Sequence, residues 1–159
     1  MMHYLKLILC LIIMFFCPFA AESDYAETKD SAAQAKTYIS ASPGSQLTAI
    51  NINCTAYDLS YASCEKHESD PAYGITAAGI NLRGKSHREA MVIAVDPAKI
   101  PLGSKVLIVF PEQKYQKYNG IYTAGDIGGA ISGNRIDIFI PDHKEALAFG
   151  RITAKAYVL

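Results

Sequence analysis

The sequence has no excess charge of either sign, with 15 basic residues balancing 15 acidic ones in 159. Nucleic-acid binders carry a basic excess or a basic stripe, and here Lys and Arg stand singly among acidic residues, so charge points to no such partner. There is no internal repeat. Long apolar runs are also scarce. The one present, Leu7 to Phe19 (LILCLIIMFFCPF), falls short of the ~20 residues that span a bilayer. It follows a weakly basic start, Met1 to Lys6, and precedes Ala20, Ala21 and the polar Glu22-Ser23-Asp24. That three-part layout predicts a secretory signal peptide over residues 1–21, with everything beyond it exported to the periplasm, cell envelope or exterior. Pro18 and Phe19 sit where a cleavage site prefers small residues, so an uncleaved anchor is the alternative.

Cysteine is the next scarcity. Of four, only Cys54 and Cys64 remain beyond the leader. In an oxidising compartment such a pair is expected to form one disulfide, and closing so short a loop would stabilise by under ~3 kcal/mol. His67 lies nearby, but no fourth ligand is evident and the cysteines are wider apart than in zinc sites, so neither metal nor cofactor is expected.

What is present divides at about Ser45. Residues 22–45 are rich in Ala, Ser, Lys and Asp and hold too few large apolar side chains to offset their ordering entropy, which predicts a flexible tether. Residues 46–159 form the expected folded domain. Six runs rich in Val, Ile, Thr and Tyr read as strands: Leu47 to Tyr57, Ala90 to Val95, Lys105 to Phe110, Ile121 to Gly125, Arg135 to Ile140 and Ile152 to Leu159. Turn-formers such as Asp96-Pro97, Asn119-Gly120 and Gly128-Gly129 separate them. One helix follows Asp142, with Glu145 in capping-box position and Gly150 as its stop. Short strands with so little helix predict a mainly β domain, a small closed or nearly closed barrel.

Three aspartates stand out because each ends a strand or lies within one. Asp96 ends Met91-Val92-Ile93-Ala94-Val95, Asp126 ends the fourth run, and Asp137 lies inside the fifth. In that fifth run the period of two puts Ile136, Ile138 and Ile140 on one face and Arg135, Asp137 and Phe139 on the other. The isoleucine face belongs to the core. The second face is either a polar cleft wall or a plain exposed strand surface. Gly128 and Gly129 admit unusual backbone angles and close approach of a ligand, or simply a tight turn.

Together these segments resemble a known family. Ala94-Val95-Asp96-Pro97 with Ile100-Pro101-Leu102-Gly103, then Asp126-Ile127-Gly128-Gly129-Ala130-Ile131, then Gly133-Asn134-Arg135-Ile136-Asp137-Ile138 are similar to the three aspartate motifs of the three-aspartate (3D) domain. That domain is found in peptidoglycan lytic transglycosylases of the membrane-bound A family and the stationary-phase survival group. Thr55-Ala56-Tyr57 and Gly74-Ile75-Thr76-Ala77 resemble its opening motifs, and Glu145 to Arg151 its closing helix. Ala78 and Ile127 depart from the family pattern, the first where a hydroxyl is common.

The resemblance implies a six-stranded double-psi β-barrel with one or two short helices. It also implies cleavage of the MurNAc–GlcNAc bond of peptidoglycan strands with formation of a 1,6-anhydro ring. By position Asp137 would be the catalytic acid and then base, with Asp126 and Asp96 supporting it. Neighbouring carboxylates would hold its proton by like-charge repulsion. Thr55, Tyr57, Thr76, Gly128 and Gly129 are the candidates for sugar contacts. A non-catalytic wall-binding module and true hydrolysis by an aspartate pair remain as rival readings.

Overall fold

The computed structural model describes residues 47–159; the expected leader and tether, residues 1–45, lie outside the described residues. In chain order the elements are β1 (Ile50–Tyr57), α1 (Tyr61–Cys64), α2 (His87–Ala90), β2 (Val92–Ala94) and β3 (Lys105–Val109), then a 3₁₀ helix (Gln113–Tyr118), β4 (Gly120–Asp126), β5 (Arg135–Phe139), α3 (His143–Phe149) and β6 (Ile152–Val158). The six strands close into one barrel in the order β1-β5-β2-β4-β3-β6. Two pairs, β1 with β5 and β2 with β4, are parallel and the others antiparallel. This is the mainly β, closed six-stranded barrel with few short helices that the sequence and its family resemblance called for.

Period-two alternation builds the interior. Ile52 and Cys54 of β1, Ile136 and Ile138 of β5, and Ala154 and Ala156 of β6 are all buried in one core cluster, joined by Ile93, Val106, Ile108, Tyr122 and Ala124. Burying each large aliphatic side chain contributes ~1.5–3 kcal/mol relative to exposure. The central strand β2 is buried on both faces, so Val92-Ile93-Ala94 reads as an unbroken apolar run. Val92 points the other way, into a second cluster with Leu82 and Phe139 that the long β1–β2 connection covers through Tyr57, Leu59 and Ile80. Phe139 is therefore fully buried and is not part of an exposed strand face.

The helix after Asp142 forms as expected, and the Asp142 side chain accepts from Glu145 N at 2.8 Å. Glu145 does not complete that capping box. Its Oε1 instead accepts from Lys117 Nζ at 2.6 Å and Tyr118 OH at 2.7 Å, tying α3 to the 3₁₀ helix. The reciprocal box belongs to α2, between Ser86 and Glu89.

The expected Cys54–Cys64 bridge does not form; both cysteines are free. Cys54 is an inward residue of β1, sealed in the core, whereas the Cys64 thiol, at the end of α1, donates to the carbonyls of Leu59 and Lys66. The alternation that buries Cys54 aims it away from its supposed partner. Burial, with a smaller contribution from Asp137, also pushes the Cys54 thiol well above its ordinary pKa, which suits an inert core residue.

Asp58 caps the other side of the connection. It is 2% exposed, and it accepts from Ser60 N at 2.8 Å on one oxygen while lying 2.5 Å from His143 Nδ1 on the other. Burial alone would raise its pKa. The hydrogen bonds from Ser60, His143 and Ser63 outweigh that and hold it at about 2. A depressed acid stabilises the fold above its unfolded pKa near 3.9 and loses that contribution as pH falls toward 2, here about 2 kcal/mol. Urea midpoints between pH 5 and pH 2 are expected to fall more steeply for the parent than for Asp58→Asn. Parallel curves would show that Asp58 does not drive the acid transition.

Candidate active site

The barrel's pairing places the acidic residues. Thr55 of β1 lies opposite Asp137 of β5, Asp137 lies opposite Ala94 of β2, and Ala94 lies opposite Asp126 of β4. Thr55, Asp137, Ala94 and Asp126 thus form one row across four adjacent strands. Two strand spacings put the two aspartate backbones roughly 10 Å apart, and the small Ala94 between them leaves the space above it open.

A β-bulge puts Asp126 in that row. The β2–β4 register runs Ile93 opposite Ala124, then Ala94 opposite Asp126, so Gly125 is an extra residue. A side chain on Gly125 would press against Ile80 Cδ1 at 2.7 Å and Val92 Cγ1 at 3.2 Å, so a larger residue would have to displace Ile80. Bulges bend a strand and re-aim the following side chain. Here the following side chain is Asp126.

Asp137, Ala94 and Asp126 of this row floor an open cleft of about 550 Å³, a size suited to a ligand of several rings, while Thr55 does not line it. Tyr57, Ala94, Asp126 and Asp137 line its floor, the β4–β5 loop from Ile127 to Ile131 forms one wall, and Leu59 with Ala62 to Lys66 forms the other. Asp126 accepts three hydrogen bonds: from Tyr57 OH at 3.2 Å, from Ala77 N at 3.0 Å and from its neighbour Ile127 N at 2.9 Å. Burial, then the charge and hydrogen bond of Asp126, then the charge of Asp137 push the Tyr57 hydroxyl well above its ordinary pKa, so it stays a neutral donor.

Asp137 accepts from the Thr55 hydroxyl on Oδ1. Its pKa is raised, and burial is the cause; Arg135 and Arg151 act against it and lose. The like-charge mechanism expected from the sequence is corrected here, because low solvation, not a neighbouring carboxylate, favours the protonated form. A half-buried site surrounded by Ala94, Tyr57 and Thr55 offers the ionised carboxylate little water.

The remaining expected site residues separate into different jobs. Asp96 does not line the cleft. Its carboxylate accepts from Gly133 N at 2.7 Å and Ala98 N at 2.9 Å, and these bonds hold its pKa below the usual range. It clamps the end of the β4–β5 loop at Gly133, just ahead of β5. Thr76 is buried and absent from the cleft lining; its Oγ1 accepts from Ile80 N at 3.0 Å, which fixes the turn that presents Ala77 N to Asp126. Gly128 and Gly129 do line the wall, with ordinary negative φ; the left-handed glycine of this loop is Gly133, at φ 63°. At Gly128 the need is space, since a Cβ would lie 2.9 Å from Ile131 Cγ1. Sequence reasoning passed over Ala94, Gly125 and the α1 wall. Among the described residues no group of three or more His, Cys, Asp or Glu could hold a metal ion.

A closed β-barrel with two aspartates and a tyrosine on the floor of an open cleft defines a small barrel domain with an acid-bearing cleft. Residues 91–159 match the family model of the 3D domain, and this stretch is similar to that family. It is 38% identical over 133 residues to YabE of Bacillus subtilis, a protein named for cell wall shaping, a match covering 84% of this chain and 28% of that protein. It is 46% identical over 86 residues to the cell wall-binding protein YocH of the same organism, covering 54% of this chain and 26% of YocH. The chain therefore spans little more than a quarter of the length of these relatives. Among solved structures, the lytic transglycosylase MltA from E. coli is 24% identical, with a TM-score of 0.42 over 58% of this chain and 29% of MltA.

Proposed function

We propose that the domain is an exported cell-wall enzyme, a lytic transglycosylase that cuts the MurNAc–GlcNAc β-1,4 bond of peptidoglycan with Asp137 as its acid–base residue. The observation that carries this reading is Asp137 itself: an aspartate on the floor of an open cleft whose burial favours its proton, with Thr55 bonded to Oδ1 and Oδ2 left for proton transfer. Protonated Asp137 gives its proton to the leaving O4 as the C1–O4 bond breaks. The resulting carboxylate accepts the proton of the sugar's own C6 hydroxyl as O6 bonds to C1. Atoms balance without water, and one carboxyl group suffices because the nucleophile is intramolecular.

Asp126 acts in this scheme by fixing the Tyr57 hydroxyl, and Asp96 by fixing the loop; neither handles the proton. The names of the relatives support a wall polysaccharide as ligand, and a cell-envelope or extracellular location. The name of YocH also favours a second reading, a module that binds wall glycan without cutting it. Incubating the purified protein with peptidoglycan and weighing the soluble products separates these. Anhydro-muropeptides, lighter by one water than hydrolysis products, are expected. Reducing-end products would mean hydrolysis, and binding with no product would mean the module.

A further inference from the structure

Beyond the cleft lies a second hollow of about 300 Å³, lined by Tyr61, Lys66, His67, Tyr73 and His143 among others. It shares the lining residues Leu59 and Lys66 with the aspartate cleft, so the two hollows are neighbours, separated by α1 and the turn after it. Tyr61 stands out here. Tyr115, Tyr118 and Tyr122 are all buried, whereas Tyr61 is 58% exposed. Its ring stacks on His67 with centroids 4.5 Å apart and planes 21° apart. His67 covers one face, so the exposure belongs to the other face and the rim.

The stacking also backs the ring on one side, which leaves its other face turned away from His67. Lys66, Glu68 and His143 surround it with hydrogen-bonding groups, and His143 is itself fixed by Asp58. The sequence contains no Trp, so a flat platform on this domain has to be built from Tyr or His. A pyranose presents just this combination in reverse, an apolar C–H face with hydroxyls around its edge.

We propose that Tyr61, backed by His67, is a distal sugar subsite, which holds a pyranose ring of the same β-1,4-linked strand several residues from the bond at Asp137. The proposal rests on the glycan reading of the cleft and adds a length requirement to it. A strand long enough to reach from Asp137 past Lys66 gains the extra contact, and a short one does not.

Binding of chitobiose and chitohexaose to the full chain carrying Asp137→Asn, by calorimetry, tests this without turnover. Both carry β-1,4-linked GlcNAc and no stem peptide. Chitohexaose is expected to bind more tightly than chitobiose. Adding Tyr61→Ala should weaken chitohexaose by about tenfold and leave chitobiose unchanged, while Tyr61→Phe keeps the ring and the affinity. Because Tyr61 is exposed, neither change should disturb the fold. Unchanged hexaose affinity in Tyr61→Ala overturns the subsite and leaves the cleft reading standing, as does an equal loss for both sugars. If neither sugar binds the Asp137→Asn chain, the subsite falls as well. Whether the parent still releases anhydro-muropeptides then decides separately if the catalytic reading falls with it.

Discussion

Asp137→Asn is expected to lower anhydro-muropeptide release by at least the 10²–10⁴-fold typical of general acid–base catalysis, with little change in fold. Asn preserves shape and keeps an oxygen for the Thr55 hydroxyl to bond, but it has no proton to give. The parent's rate should be high in mild acid and fall as pH rises through the raised pKa of Asp137, because the acid must start protonated. Since burial sets that pKa, Asp126→Asn should leave the alkaline limb where it is while lowering the rate through Tyr57. A limb that moves to lower pH in Asp126→Asn would restore like-charge repulsion as the cause. Stability has its own sign. An acid whose folded pKa is raised costs nothing below its unfolded pKa and becomes a growing penalty as pH climbs through the folded value. Asp137→Asn should therefore raise the melting temperature at pH 7 relative to the parent, with the difference vanishing near pH 4. That is the trade expected at a site where function keeps a carboxyl group poorly solvated. A variant that releases product at close to the parent rate would remove Asp137 from the mechanism.

Phe139→Ala is the largest stability change expected, ~3–5 kcal/mol, because it removes a fully buried ring and leaves a cavity between the barrel wall and the connection that covers it. The ring packs against Tyr57 with centroids 5.6 Å apart, and the Phe139 carbonyl meets His87 Nδ1 at 2.8 Å. The side chain thus holds the cleft tyrosine, while the backbone carbonyl ties α2 to β5. Urea unfolding should show the loss, and Phe139→Leu, which keeps most of the volume, should recover a good part of it. A cost below ~1 kcal/mol would mean that the connection is seated by other contacts. The loss is comparable with the whole stability of many small domains, so the Ala variant tests whether this second cluster is essential to the fold.

The six strands were legible because β-branched and aromatic residues recur with period two between strong turn-formers, and all six occur close to their expected limits. The α3 helix was legible from Asp142 and Gly150. Helices α1 and α2 were not anticipated, since four residues give no periodicity to read, although Ser86 and Glu89 spell a capping box that would have found α2. The face of β5 opposite its isoleucines shows the limit of alternation. Period two says that Asp137 and Phe139 share a face, but not that the distant Leu82 and Val92 bury one of them while the other floors a cleft. The cysteines show the same limit. Their spacing allowed a bridge, and the inward turn of Cys54 removes it.

The sequence by itself determined a mainly β domain of six strands and its core residues, because those depend on local propensity and alternation; it singled out three aspartates by their places on strands and by the family resemblance. Only the tertiary structure decided where the aspartates sit relative to one another. Barrel closure brings strands distant in sequence together, and the extra residue Gly125 turns Asp126 toward Asp137, while Asp96 is drawn aside to hold a loop. The cause of the raised pKa of Asp137 was likewise beyond the sequence, for it is lost solvation on the cleft floor and not like-charge repulsion. Solvation depends on everything that packs around a group, and most of that lies far away along the chain.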